Sequence, residues 1–115
     1  MEGYVWSMLG KVKRTGRYTV ESRDGMYITL ANANTLPEAR KKALSILLKH
    51  PYDEDLQERG LGVYWPDFKN EDLPLIGVVR EWNGKGIWYP FDKKHPYVLH
   101  KDGKLGDKFP AEYRW

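Results

Sequence analysis

Residues 10–31 read GKVKRTGRYTVESRDGMYITLA. Two short turns divide the run, Arg14-Thr15-Gly16 and Arg23-Asp24-Gly25. A three-residue hairpin loop with glycine in the left-handed position is a common way to reverse a strand. With three residues in each loop, Val12 faces Tyr18, and Tyr18 and Val20 face Leu30 and Ile28. Met8, Gly10, Val12, Tyr18, Val20, Ser22, Met26, Ile28 and Leu30 then share one side. A two-residue loop at Asp24-Gly25 would set Glu21 against Ile28 and split the apolar set. Because a slip of one residue turns every side chain to the other face, the three-residue register is the one expected. The spacing therefore predicts strands near residues 4–13, 17–22 and 26–31.

A helix follows. Thr35-Leu36-Pro37-Glu38 is a capping box with proline in the first turn, where its missing N–H costs nothing. Leu36, Ala39, Ala43, Leu44, Ile46, Leu47 and Leu48 recur at helical spacing, and Lys41, Lys42, Ser45 and Lys49 form the wet face. Arg40 falls within the apolar sector, so its stem must snorkel or its head must find a carboxylate. The helix is expected to stop near His50-Pro51, because the residue before proline avoids helical angles.

Within residues 10–49, the run Gly16-Arg17-Tyr18-Thr19-Val20-Glu21, then Asp24-Gly25, Leu30, Asn34-Thr35 and Glu38-Ala39 resembles ethylene-response-factor-type DNA-binding domains. It is similar also to the amino-terminal arm-binding domains of phage-type integrases. The resemblance implies a three-stranded sheet that enters the DNA major groove with the helix braced behind it. Its exposed face would carry Lys11, Lys13, Arg17, Thr19, Glu21, Tyr27 and Thr29, with Glu21 and Tyr27 standing where those families tend to place arginine or tryptophan. Asp24-Gly25-Met26-Tyr27 and Thr35-Leu36-Pro37-Glu38-Ala39 resemble HicB-type antitoxins as well, and strands followed by a basic helix resemble double-stranded-RNA-binding domains.

The second half is aromatic and rich in turns. Asp53 to Glu58 followed by Gly60 reads as a short acidic helix with a glycine stop. Leu61 to Trp65 reads as a strand that Pro66 ends. Leu75 to Trp82 and Gly86 to Phe91 form a hairpin joined at Asn83-Gly84, a strong type I′ signal. That register lines Ile76, Val78, Trp82, Ile87, Tyr89 and Phe91 along one face, with Arg80 among them. Trp82 and Tyr89 are therefore expected in the core. Trp88, on the other face with Val79 and Glu81, is the candidate for surface stacking. Tyr97 to Lys101 reads as one more strand, turned by Asp102-Gly103, and the tail from Gly106 shows no period. Residues 82–89 also resemble the repeats of cell-wall choline-binding modules, which act as tandem arrays; here there is one copy. Lys-His-Pro-Tyr occurs at 49–52 and at 94–97, in flanks that do not match.

Composition bounds the function. The 115 residues contain no cysteine, which excludes disulfides and thiolate chemistry. No apolar run is long enough to span a membrane, and the start lacks the basic residues of a signal peptide, so a cytoplasmic protein is expected. Net charge is +5 over residues 1–50, −5 over 51–82 and +3 over 83–115. A basic first half is the footprint of a surface that meets phosphates or an acidic partner; equally, such blocks can pair with each other or stand solvated.

No catalytic motif emerges. His95, His100, Asp92 and Asp102 lack the tight spacing of metal ligands and stand among lysines. Ser7, Ser22 and Ser45 lack the setting of a triad nucleophile. Gly84 and Gly86 belong to a hairpin and Gly60-Leu61-Gly62 precedes a strand, so neither makes a phosphate loop. The carboxylates from Asp53 to Glu58 suit a solvated cap.

The sequence thus predicts an α+β chain of one domain, an antiparallel three-stranded meander followed by one amphipathic helix over 1–50 and a second, mainly antiparallel β portion over 51–115. It predicts a non-enzymatic module without metal or cofactor that engages nucleic acid through Lys11, Lys13, Arg14, Arg17, Arg23, Tyr27 and Thr29, with Trp88 available for stacking. The alternative partner is a host protein, met by a phage or mobile-element accessory factor acting as an inhibitor or antitoxin. Its acidic stretches at 53–58 and 67–72 would then imitate a phosphate backbone. A further alternative is a nucleotide-sequestering protein built around Trp88.

Overall fold

A computed structural model describes residues 3–7, 10–14, 17–22, 29–65, 75–92 and 95–110. In chain order the strands are β1 (Gly3–Ser7), β2 (Gly10–Arg14), β3 (Tyr18–Ser22) and β4 (Thr29–Ala33). Helices α1 (Leu36–Lys49) and α2 (Glu54–Arg59) follow, then β5 (Leu61–Tyr64), β6 (Leu75–Trp82), β7 (Lys85–Pro90), β8 (Tyr97–Leu99) and β9 (Leu105–Lys108). The fold is α+β, with one main helix and a seven-stranded antiparallel sheet in the order β4-β3-β5-β6-β7-β8-β9.

Local chemistry explains most boundaries. Thr35 Oγ1 accepts the Glu38 N–H at 3.3 Å, while the Glu38 carboxylate reaches back to the Asn34 N–H at 3.4 Å. Two otherwise orphaned donors at the start of α1 are thereby satisfied. At its other end, the Gln57 amide of α2 donates to the carbonyls of Leu47 (2.9 Å) and His50 (3.2 Å). The short acidic helix therefore caps the long one. Asp53 accepts from Leu56 N–H, and Gly60 at φ 74° ends α2, as expected of that glycine. Asn83 and Gly84 both have positive φ, 51° and 81°, as a type I′ turn requires.

The three-stranded meander forms only in part. β3 pairs with β4, but its other neighbour is β5, with Val20 opposite Val63. β2 pairs with β1 in a separate ribbon, Lys11 opposite Trp6 and Lys13 opposite Tyr4. β3 is buried on both faces, with Thr19 at 2% and Glu21 at 1% exposure beside fully buried Val20. A neighbour carrying lysine at alternate positions would bring charge against that strand, whereas Leu61-Gly62-Val63 brings none. The β3–β4 register also differs from the expected one. Tyr18 and Val20 face Ala33 and Ala31 rather than Leu30 and Ile28, a shift of three residues. Ala33 packs with Ala39 and Ala43 in one cluster, and such small side chains let helix and strand approach closely.

Since β3 is antiparallel to both β4 and β5, those two strands are parallel to each other with β3 between them. Parallel strands need a crossover, and α1 with α2 supplies it. Leu44, Leu47 and the alanines of α1 pack on Val20, Leu61, Val63, Val79, Trp88 and Leu99. A second cluster, Val78, Ile87 and Tyr89 with Leu75 and Phe109, lies on the other face of the sheet.

The sheet ends in a hairpin whose first strand and Asp102-Gly103 turn the sequence indicated and whose second strand, β9, it left unassigned. The loop Lys101-Asp102-Gly103 joins β8 to β9, closed by His100 N–H to Lys104 O and Gly103 N–H to His100 O, both 2.9 Å. Gly103 has φ 90°. This is the three-residue glycine loop that the sequence suggested for two earlier turns. A Cβ on Gly103 would overlap the carbonyl of Pro37, whereas one on Gly84 would meet open space. Left-handed strain alone costs about 1–2 kcal/mol. Gly84→Ala is expected to stay within that loss and Gly103→Ala to exceed it, as read from urea-denaturation midpoints.

Candidate functional site

In an antiparallel meander alternate turns fall at the same end of the sheet, which brings the β6–β7 turn beside the β8–β9 loop. Between them, Gly86 lies opposite Leu99. Gly86 also passes so close to α1 that a Cβ there would stand 2.7 Å from the Leu44 side chain. These elements enclose a cleft of about 250 Å³ lined by Leu44, Gly84, Lys85, Gly86, Val98, Leu99, His100 and Lys101. Among the described residues that line it, none is acidic. The nearest carboxylates along the chain are turned to the backbone: Glu81 accepts the Gly84 N–H, and Asp102 accepts the Lys104 N–H at 3.0 Å.

Arg40 holds the loop that carries His100 and Lys101. Its Nε donates to Gly103 O at 2.9 Å, and its guanidinium lies 5.2 Å from the centre of the Trp88 ring. The residue is 7% exposed, and burial pulls its pKa below the ordinary arginine value. It remains a cation, since arginine does not lose its proton in proteins. In place of the expected snorkelling stem or carboxylate partner, the head is stacked on an indole and hydrogen-bonded to a backbone carbonyl.

The two hairpin tryptophans exchange the places expected of them. Trp88 is 3% exposed, packed in the α1 cluster and over Gly77, where a Cβ would run into its ring. It offers no face for stacking. Trp82 is 55% exposed, with its ring edge-on to Phe109 at 5.7 Å. Alternation showed which residues share a face, but α1 took the face with Val79 and Trp88. Tyr89 is buried, as expected. Phe91, expected along the same face, is exposed.

Of the other candidates, Arg17 is exposed just before β3. Thr19 and Glu21 of the face implied by resemblance are buried, so that face does not exist as a continuous exposed surface. Lys11, Lys13 and Arg14 belong to β2 and Thr29 to β4, with side chains outside the described set; Arg23 and Tyr27 lie outside the described residues altogether. The histidines do not converge on a shared group. His95 Nε2 meets the Tyr97 hydroxyl at 3.2 Å, whereas His100 lines the cleft. Among the described residues no three potential metal ligands gather, and no helix is long and apolar enough to cross a membrane. Sequence reasoning missed Lys85 and Lys101 and weighed His100 only as a metal ligand; the available signal was a lysine beside each of two glycine turns, Asn83-Gly84 and Asp102-Gly103.

No protein family matches the chain, and no curated protein or solved structure is detectably similar to it. The functional reading therefore rests on geometry and charge.

Removing the Arg40 head deletes a charge-assisted hydrogen bond, worth about 1.5–3 kcal/mol, together with its stack on Trp88. Arg40→Ala is expected to lower the urea midpoint by a corresponding amount and to speed amide exchange at Gly103. Arg40→Lys, which cannot reproduce the planar fork, recovers only part of either.

Proposed function

We propose that this protein is a non-enzymatic binding module that engages nucleic acid through phosphate contacts. The observation that carries the reading is the cleft at the β7–β8 end of the sheet, lined by Lys85, His100 and Lys101 with no acidic residue among its described lining. Lysines on two adjacent rigid turns can each meet a phosphate as a point charge, and such contacts fix position without reading sequence. Exposed Lys104, just before β9, and Lys108 at its end add further cations, with exposed Asp107 between them. Arg17 and the lysines of β2 supply a second basic segment in the chain.

This reading moves the interface from the β2–β3–β4 face to the far end of the sheet. Two facts support the move. Thr19 and Glu21 are buried, and β2 is not β3's neighbour. The cleft, in contrast, is formed by described residues from three elements and two turns.

Fluorescence anisotropy with labelled duplex DNA, duplex RNA and single strands, between about 50 and 200 mM salt, tests the proposal. Affinity is expected to fall steeply with salt. Changing Lys85 and Lys101 together to glutamate should reduce the log–log slope by about 1.4–1.8, the effect of losing two phosphate contacts. Charge reversal at Lys11, Lys13 and Arg17 is expected to have the smaller effect. Binding to no nucleic acid even at low salt would overturn the reading and direct the search to protein partners.

A further inference from the structure

Gly86 and Leu99 form the last pair between β7 and β8 at this end of the sheet. Beyond that pair the two chains part, one through Lys85 and Gly84 into the β6–β7 turn, the other through His100 and Lys101 into the β8–β9 loop. The cleft is the notch between them, and Leu44 of α1 lines it beside Gly86. Both walls are held in place. Glu81 accepts the Gly84 N–H on one side. On the other, Asp102 accepts the Lys104 N–H and Arg40 donates to the Gly103 carbonyl. Each wall contributes one lysine, while Leu44, Gly86, Val98 and Leu99 add no side-chain donor or acceptor to the lining. The His100 ring turns its Nε2 to Gly106 of β9, where a Cβ would stand 2.6 Å away. Lys85 and Lys101 are therefore the permanent cations of the notch.

Resting on the nucleic-acid reading, we propose that the notch is a site for a terminal phosphate, so that the module holds the phosphorylated end of a strand. Charge is the first support. A phosphate monoester carries about −1.5 to −2 at pH 7, whereas a phosphate within a strand carries a single negative charge. Two lysines with no acidic residue among the described lining match the monoester. Size is the second. At about 250 Å³ the cleft is smaller than the roughly 300–1,000 Å³ of pockets that enclose whole small ligands, so it admits a phosphate and leaves the attached nucleoside outside. The third is the shape of the notch. A phosphate within a strand has chain leaving it in two directions, whereas a terminal one has chain leaving in one. A recess backed by the Gly86–Leu99 pair and by Leu44, with a turn on either side, suits a single exit.

The test uses the full chain with fluorescein-labelled oligothymidylate, alone and annealed to oligodeoxyadenylate, each with a 5′-phosphate, a 3′-phosphate or hydroxyl ends. At about 50 mM salt a phosphorylated end is expected to tighten binding about tenfold, the yield of two solvent-exposed charge pairs. Lys85→Gln with Lys101→Gln should bring phosphorylated and hydroxyl-ended probes to one affinity. Lys104→Gln with Lys108→Gln, outside the cleft lining, should weaken every probe alike and keep the preference. All four side chains are exposed, so unchanged urea midpoints are expected in both double variants, which separates binding from folding. Equal affinity for phosphorylated and hydroxyl ends, or a preference that survives loss of Lys85 and Lys101, would overturn this inference and leave the nucleic-acid reading standing. Thymidine monophosphate that displaces the phosphorylated strand at equal concentration would assign the site to a free nucleotide and overturn it as well. Failure of every probe at low salt would remove both readings together.

Discussion

The contact on which the arrangement turns is the Arg40 guanidinium, set between the Trp88 ring and the carbonyl of Gly103. One side chain there joins the main helix, a central strand and the last hairpin loop. A buried cation is costly unless its hydrogen-bonding groups find partners and its face finds polarisable surface. Trp88 and Gly103 provide both kinds of contact. Gly103 can take the position because it alone tolerates positive φ there and because a side chain would collide with Pro37. The loop therefore closes against the first turn of the helix, and the residues on either side of it inherit that placement.

One face of the sheet is buried by the crossover. Between parallel β4 and β5 the chain must travel over one face, and α1 with its cap α2 does so, covering Val20, Val63, Val79 and Trp88. The opposite face keeps its own apolar cluster around Val78, Ile87 and Tyr89. A two-sided sheet removes the simple alternation of dry and wet positions. This is why Thr19 and Glu21, polar by type, are buried, and why Trp82, aligned with an apolar face, stands in solvent at its end.

The basic cleft is a consequence of turn chemistry and topology together. Asn-Gly and Asp-Gly turns occupy the sharp reversals, and the residues that flank them are free to be charged because they project at the sheet's end. Antiparallel order then stacks alternate reversals side by side. Lys85 and Lys101, distant in sequence, line one cleft for that reason, with Leu44 and Gly86 as its apolar floor. The arrangement can hold an anion; among the described residues it assembles no metal-ligand cluster.

Short-range physics was legible in the chain. The Thr35 cap, the proline stop after His50, the Gly60 stop and the Asn83-Gly84 hairpin all depend on bonds or dihedral preferences within a few residues, and each is found where the sequence places it. Long-range choices were not legible. Backbone bonding accepts many neighbours, so nothing local tells β3 to take β5 rather than β2, or recruits Leu105–Lys108 as an edge strand. Nor does alternation tell which face a helix will cover. The sequence by itself determined the caps and stops of α1 and α2 and the Asn83-Gly84 reversal, but its pattern reads residues 4–13 as one strand where β1 and β2 form a ribbon of their own. Only the tertiary structure decided which strands meet, that Trp82 rather than Trp88 reaches solvent, and that Lys85 and Lys101 share a cleft, because those outcomes depend on the packing of the whole sheet against α1.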